Sequence, residues 1–209
     1  MTTVRPLRQD AARNRERLLA AAREVFRRKG LDAPLEEIAR DAGVAIGTLY
    51  NRFPARGDLV DAALGPLVER AVEIAERAAT AADEWDGFAS YMEGICELLA
   101  DDRGYADVHR SPIPGTPVID AALKRAAALK AAIMARAKAA GVLRADVESS
   151  DLVLLMWGIA ATADATRDAA PDAWRRHLAL LLDGLRPGAA HPLPVPPVTL
   201  GQSQDAAPR

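Results

Sequence analysis

Two short helical runs hinged on a glycine constrain this chain more than any other feature of its sequence. The stretch "PLEEIARDAG" places Pro34 at a first helical position, Glu36 and Glu37 in a first turn, and Gly43 where a left-handed residue stops the helix. A second short helix is predicted from about Ala45 to Arg52 and ends at Phe53-Pro54, because the residue before a proline disfavours helical backbone. Two such helices joined by a tight glycine-containing turn make a helix-turn-helix. Ile38, Ala42, Val44 and Leu49 supply its apolar contacts, and Ala39 is small enough for the second helix to come close.

Gly47 is out of place in the second helix, where glycine costs about 1 kcal/mol relative to alanine. It makes sense if residues 45–52 form a recognition helix whose first turns face the major groove of DNA, since a side chain there would hold the backbone away. Ala45 and Ile46 open that helix, and Thr48 offers a hydroxyl and a methyl usable toward phosphate or thymine. Tyr50 offers a rigid hydroxyl toward phosphate, Asn51 and Arg52 add polar reach, and Arg56 is placed as a phosphate clamp. Leu49 takes the inward direction, so Tyr50 is expected outside and Phe53 in the core. The charge distribution agrees: residues 1–60 carry 12 Lys and Arg against 8 Asp and Glu, the remainder 15 against 21. A basic end on an acidic body suggests an interacting segment.

The rest of the chain reads as all-α. An amphipathic helix is predicted over Asp10–Lys29, with Asp10 as N-cap, an apolar face of Leu18, Leu19, Ala22, Val25 and Phe26, and Gly30 as its end. Arg5 and Arg8 would precede it as a flexible arm, and Arg13 lies on its polar side. Further helices are predicted over residues 58–82, 86–100, 117–140, 147–169 and 171–185, with a kink at Gly65-Pro66 and a broken region of one short helix and a loop between 101 and 117. The organisation is a head over residues 1–56, a body over 57–186, and a proline-rich tail over 187–209 expected to be disordered. Cys96, a single cysteine among apolar residues, excludes an intramolecular disulfide and reads as an inert thiol. Neither a signal peptide nor a membrane span is apparent, so a cytoplasmic protein without membrane contact is expected.

The segment "IARDAGVAIGTLYNRFPARGDLV", preceded by "RLLAAAREVFRRKG", resembles the head of the tetracycline-repressor (TetR/AcrR) family over about residues 13–64. The resemblance implies nine or so helices, a homodimer built on the last two long helices, an operator of two-fold symmetry, and a small-molecule pocket in the body. Four positions depart from the family's usual pattern. Pro34 stands where a threonine commonly caps the second helix, and Ala45 where a serine commonly caps the recognition helix. Arg52 and Arg56 replace a frequent tyrosine or histidine and a frequent lysine, which should keep phosphate binding.

In the body, Leu152, Leu155, Met156, Ile159 and Ala163 form one apolar face and Trp174, Leu178, Leu181, Leu182 and Leu185 another, and these ten are the expected dimer interface. Trp85, Phe88, Tyr91, Met92, Tyr105, Met134 and Trp157 are the candidate lining of an effector pocket, with His109 and Asp164 as polar anchors. Few inward charges are predicted, so a mainly apolar or aromatic effector is expected. Gly65-Pro66 is a candidate pivot between body and head. No catalytic constellation, metal-ligand cluster or cofactor motif stands out, so an enzyme is not expected. The leading expectation is a repressor released by its effector. The alternative is a DNA-binding dimer with no small-molecule effector, acting constitutively or through a protein partner.

Overall fold

Leu18, Ala22, Val25 and Phe26 recur three or four residues apart and are fully buried, which makes the first helix the spine of the N-terminal head. The computed structural model describes residues 5–110 and 113–199, the side chains of 5–11 and 189 excepted. Its described residues are all-α, with nine α-helices, one short 3-10 turn and no strand. The helices are α1 (Arg5–Lys29), α2 (Leu35–Asp41), α3 (Ile46–Arg52), α4 (Arg56–Ala79), α5 (Glu84–Asp101), α6 (Arg103–Arg110), α7 (Pro117–Ala139), α8 (Ser149–Thr166) and α9 (Ala173–Gly184).

α2 lies against α1 and α3 against α2, and Leu35, Ile38, Ala39, Leu49 and Phe53 are all buried in the head. The turn between them depends on Gly43, whose φ of 66° is costly for any residue with a Cβ. Pro34 and Ala45 are extended N-cap residues without a capping side chain, so Pro34 stands just outside α2 rather than at its first position. α1 begins earlier than predicted, because Arg5-Pro6 supplies a proline in a first turn and Asp10 lies inside the helix. Arg5 and Arg8 therefore belong to α1 and not to an arm ahead of it; their side chains lie outside the described residues.

α4 joins head to body and packs most extensively on α7. It runs unbroken through Pro66, which is exposed, while buried Gly65 faces Val118. α5 packs between α4, α7 and α8, and α9 lies on α8. Among the described residues no helix is long and apolar enough to cross a membrane.

Two expectations for the body change. Leu152, Met156, Ile159 and Ala163 of α8, and Trp174, Leu178, Leu182 and Leu185 at α9, are buried within the protomer. Leu155 and Leu181 are packed partly against the same core. A side chain already closed in by its own chain has little surface left for a partner, so the eight buried residues build the protomer core, while Leu155 and Leu181 keep part of their surface. The beginning of the tail is also more ordered than predicted. Pro187–Ala189 forms a 3-10 turn, and Arg144 Nη2 donates to the His191 carbonyl at 2.7 Å. Residues 190–199 have no regular structure, and residues 200–209 lie outside the described residues.

Candidate DNA-reading surface and effector-responsive body

α3 is seven residues long, and Leu49 is its sole buried side chain. Ile46, Gly47, Tyr50, Asn51 and Arg52 are exposed, with Tyr50 47% accessible, and Thr48 is half-buried. A Cβ added at Gly47 would meet nothing of the protein within 4 Å. The glycine is therefore not required by the protein's own packing. The bare N-terminal turn, with Ala45 exposed before it, presents backbone N–H groups to an anion without a side chain in the way.

The surrounding cations divide into two groups. Arg56 turns back onto the α1–α2 loop, where its guanidinium donates to the carbonyls of Leu31 and Ala33, the latter at 3.1 Å. Those carbonyls face no helix ladder, so they capture the arginine, and Arg56 braces the head instead of reaching free as a clamp. Lys29 donates to Glu37 at 2.7 Å, and the same carboxylate lies near Arg28 and Arg40, which together hold the Glu37 carboxyl below its ordinary range. Arg13, Arg17 and Arg52 are exposed, and Arg13 and Arg17 line one open groove beside Asn14. Arg17 was absent from the sequence-derived set, although it follows Arg13 at the i+4 spacing that puts both on one face.

α6 is the one short helix of the region expected to be broken, and its clasp on the head was not foreseen. Asp102 caps it, accepting from the Tyr105 N–H at 2.8 Å. Arg103 donates to the Arg28 carbonyl at 2.9 Å and to Asp164 at 2.7 Å, linking α1 to α8. Asp107 accepts from the Leu31 N–H at 2.8 Å. A cleft of about 630 Å³ runs along this junction, lined by Lys29, Arg103, Asp107, Arg110, Asp164 and Arg167 among others. Asp164 thus belongs to the head–body junction and is exposed, not an anchor in the body interior.

The predicted effector lining is dispersed over the body. Phe88, Tyr91, Met92, Tyr105 and Met134 are buried, whereas Trp85, His109 and Trp157 are half-buried. Trp85 packs beside Phe88 and lies under the Arg186 guanidinium, 3.8 Å from its centroid, so it closes one end of the bundle. Tyr105 and His109 stack at 4.4 Å between ring centroids. Trp157 Nε1 and the Tyr105 hydroxyl are buried without a hydrogen-bond partner among the described residues. Burial pushes the Cys96 thiol up to about 12, which keeps it protonated and unreactive at neutral pH.

Residues 18–63 match the model of the bacterial regulatory proteins of the tetR family, and residues 85–187 match the SbtR-like transcriptional regulator C-terminal domain. The chain is 34% identical to a TetR transcriptional regulator from Streptomyces coelicolor of known structure, over 83% of this chain and 98% of that one, with a TM-score of 0.56. It shares its fold with the regulator FadR from Bacillus subtilis in complex with stearoyl-CoA, at 19% identity, 84% and 99% coverage and a TM-score of 0.64. It shares it also with the ketosteroid transcriptional regulator KstR2 of Mycobacterium tuberculosis, at 20% identity, 82% and 94% coverage and a TM-score of 0.58. A helix-turn-helix head with an open recognition helix, set on a helical body, defines a DNA-binding transcriptional regulator. The chain belongs to the TetR family. Repression and dimeric binding to DNA operators are typical of that family, whose members are regulators and not enzymes.

Proposed function

We infer that this protein is a homodimeric repressor whose two heads read a two-fold operator and which a small effector, bound in the body, releases from DNA. The observation that carries the DNA-reading role is the open space over Gly47 on a helix that buries Leu49 alone. Ile46, Thr48, Tyr50, Asn51 and Arg52 supply contacts around it, with Arg13 and Arg17 toward the backbone. Fluorescence anisotropy on DNA from upstream of the protein's own gene, against a scrambled fragment, tests this. The expected outcome is at least about 10³-fold preference for its own DNA and a steep fall in affinity with salt. Equal weak binding to both fragments at every salt concentration would refute an operator in that region.

The dimer is assigned to the outward faces of the last two helices. Leu154, Gly158, Ala161 and Ala165 recur along exposed α8 at spacings of four, three and four, and Leu180 of α9, the helix packed on α8, is 61% accessible. Small residues between leucines let two helices approach closely.

The effector is assigned to the interior of the body, which carries the adaptable Met and aromatic side chains. α6 connects that interior to the head, since Tyr105 and His109 face inward while Arg103 and Asp107 hold α1 and its following turn. This gives a route beside the pivot expected at Gly65-Pro66. An Asp107→Ala variant loses the bond to the Leu31 N–H and the ion pair with Arg110, and is expected to lower unfolding stability by about 1–2 kcal/mol in urea titration. Its ligand-free operator affinity should change little, while the effector's influence on that affinity shrinks. An undiminished effector response would remove α6 from the pathway.

A further inference from the structure

Among its described residues the head exposes two large apolar side chains, and both stand on α3. Ile46 is 36% accessible and Tyr50 47%, one turn apart on the same face, while the other exposed large apolar residues lie at Val118 or beyond. Tyr50 carries a hydroxyl that can end on a phosphate. Ile46 ends in carbon alone, so a phosphate, a sugar hydroxyl or a polar base edge offers it nothing.

The first turn of α3 holds no side chain able to read a base by paired hydrogen bonds. Ala45 is exposed and ends in a methyl group, Gly47 has no side chain, and Thr48 is half-buried. The amide and guanidinium suited to bidentate base contacts, those of Asn51 and Arg52, stand in the last turn. An added Cβ at Gly47 meets nothing within 4 Å, which leaves the backbone beside Ile46 open to an approaching surface. The exposed guanidiniums of Arg13, Arg17 and Arg52 suit a polyanion as that surface. In the major groove of a DNA duplex, the apolar group on a base edge is the C5 methyl of thymine.

We propose that Ile46 is a specificity-determining residue that packs on a thymine C5 methyl in each half of the operator, so that the first turn of α3 selects its base by apolar contact and not by hydrogen bonds. The inference rests on the DNA-reading role above and adds the base that is selected. Isoleucine against a methyl group removes apolar surface of both from water. Cytosine presents a bare C5–H at the same point and leaves the isoleucine facing a gap, which is the source of the discrimination.

Duplexes enriched by the full chain from a random-sequence pool supply the probe, and each of their thymines is then replaced by deoxyuridine. That replacement removes the methyl group and keeps every hydrogen-bonding atom of the base. At one thymine in each half it should weaken binding about fourfold, as one buried methyl-sized group does, and about 15-fold when both halves are changed. Ile46→Ala should weaken binding to the thymine duplex about tenfold and bind the deoxyuridine duplex equally well. It should melt as the native chain does, since Ile46 lies outside the buried core. Ile46→Gln should shift the base enriched at that position to adenine, whose N6 and N7 a glutamine meets bidentately. Enriched duplexes whose thymines all tolerate deoxyuridine, or undiminished sensitivity to deoxyuridine in Ile46→Ala, would overturn the assignment of Ile46 and leave the DNA-reading role standing. A pool that yields no enriched duplex would overturn both.

Discussion

Replacing Gly47 with leucine is expected to weaken operator binding by about 100-fold or more while making the protein harder to melt. The two effects have opposite signs because they arise on opposite sides of α3. Toward the protein, a Cβ at position 47 meets nothing within 4 Å, so the side chain starts into open space. Leucine instead removes the entropic penalty of a helical glycine, worth about 1 kcal/mol. In the proposed complex with DNA, the same side chain would stand between the helix backbone and the groove floor. It displaces the neighbouring contacts of Thr48 and Tyr50, each good specific contact being worth about 1–3 kcal/mol. Leu49→Ala is the informative contrast, since Leu49 is fully buried and its truncation costs about 2–5 kcal/mol of stability. That variant loses DNA binding by loosening the head, visible as a lower melting temperature. Thermal melting and anisotropy on the same samples separate the two cases. A Gly47→Leu protein that binds its operator as tightly as the native chain would show that α3 does not enter the groove by its first turns.

The head was legible because local chemistry and tertiary demand agree there. Gly43 stops α2 with a positive φ, Pro54 follows the end of α3, and the 3–4 spacing from Leu18 to Phe26 names the buried face of α1. Where two readings of one residue compete, sequence alone could not choose. Arg56 is cationic and sits just past α3, but free carbonyls at Leu31 and Ala33 claim it, and those carbonyls become visible only when the α1–α2 turn is folded. Gly104 is buried in α6, where a Cβ would come within 3.0 Å of Phe26 Cβ. The glycine serves the approach of α6 to α1 and does not interrupt the helix.

α8 posed a different difficulty, and its resolution predicts the second large effect. The helix is apolar on two sides, so periodicity identifies it as packed but not which side its own chain covers. Leu152, Met156 and Ile159 turn out to face inward, leaving Leu154 39% accessible on the other side with Gly158, Ala161 and Ala165 along the same stripe. A Leu154→Asp, Leu180→Asp double variant is therefore expected to fold normally and sediment as a monomer. In a two-fold interface each substitution enters twice, so four carboxylates would be brought together in a desolvated patch. Neither side chain belongs to the protomer core, so helical content and cooperative unfolding should persist. Operator affinity should fall by about 10²-fold or more, because the second head then binds without the effective concentration its partner supplies. Leu152→Asp, placing the same charge inward, should instead abolish cooperative unfolding. Retention of the dimer by the double variant, measured by sedimentation velocity at micromolar concentration, would move the interface to another surface and return the outward leucines of α8 and α9 to ordinary exposed residues.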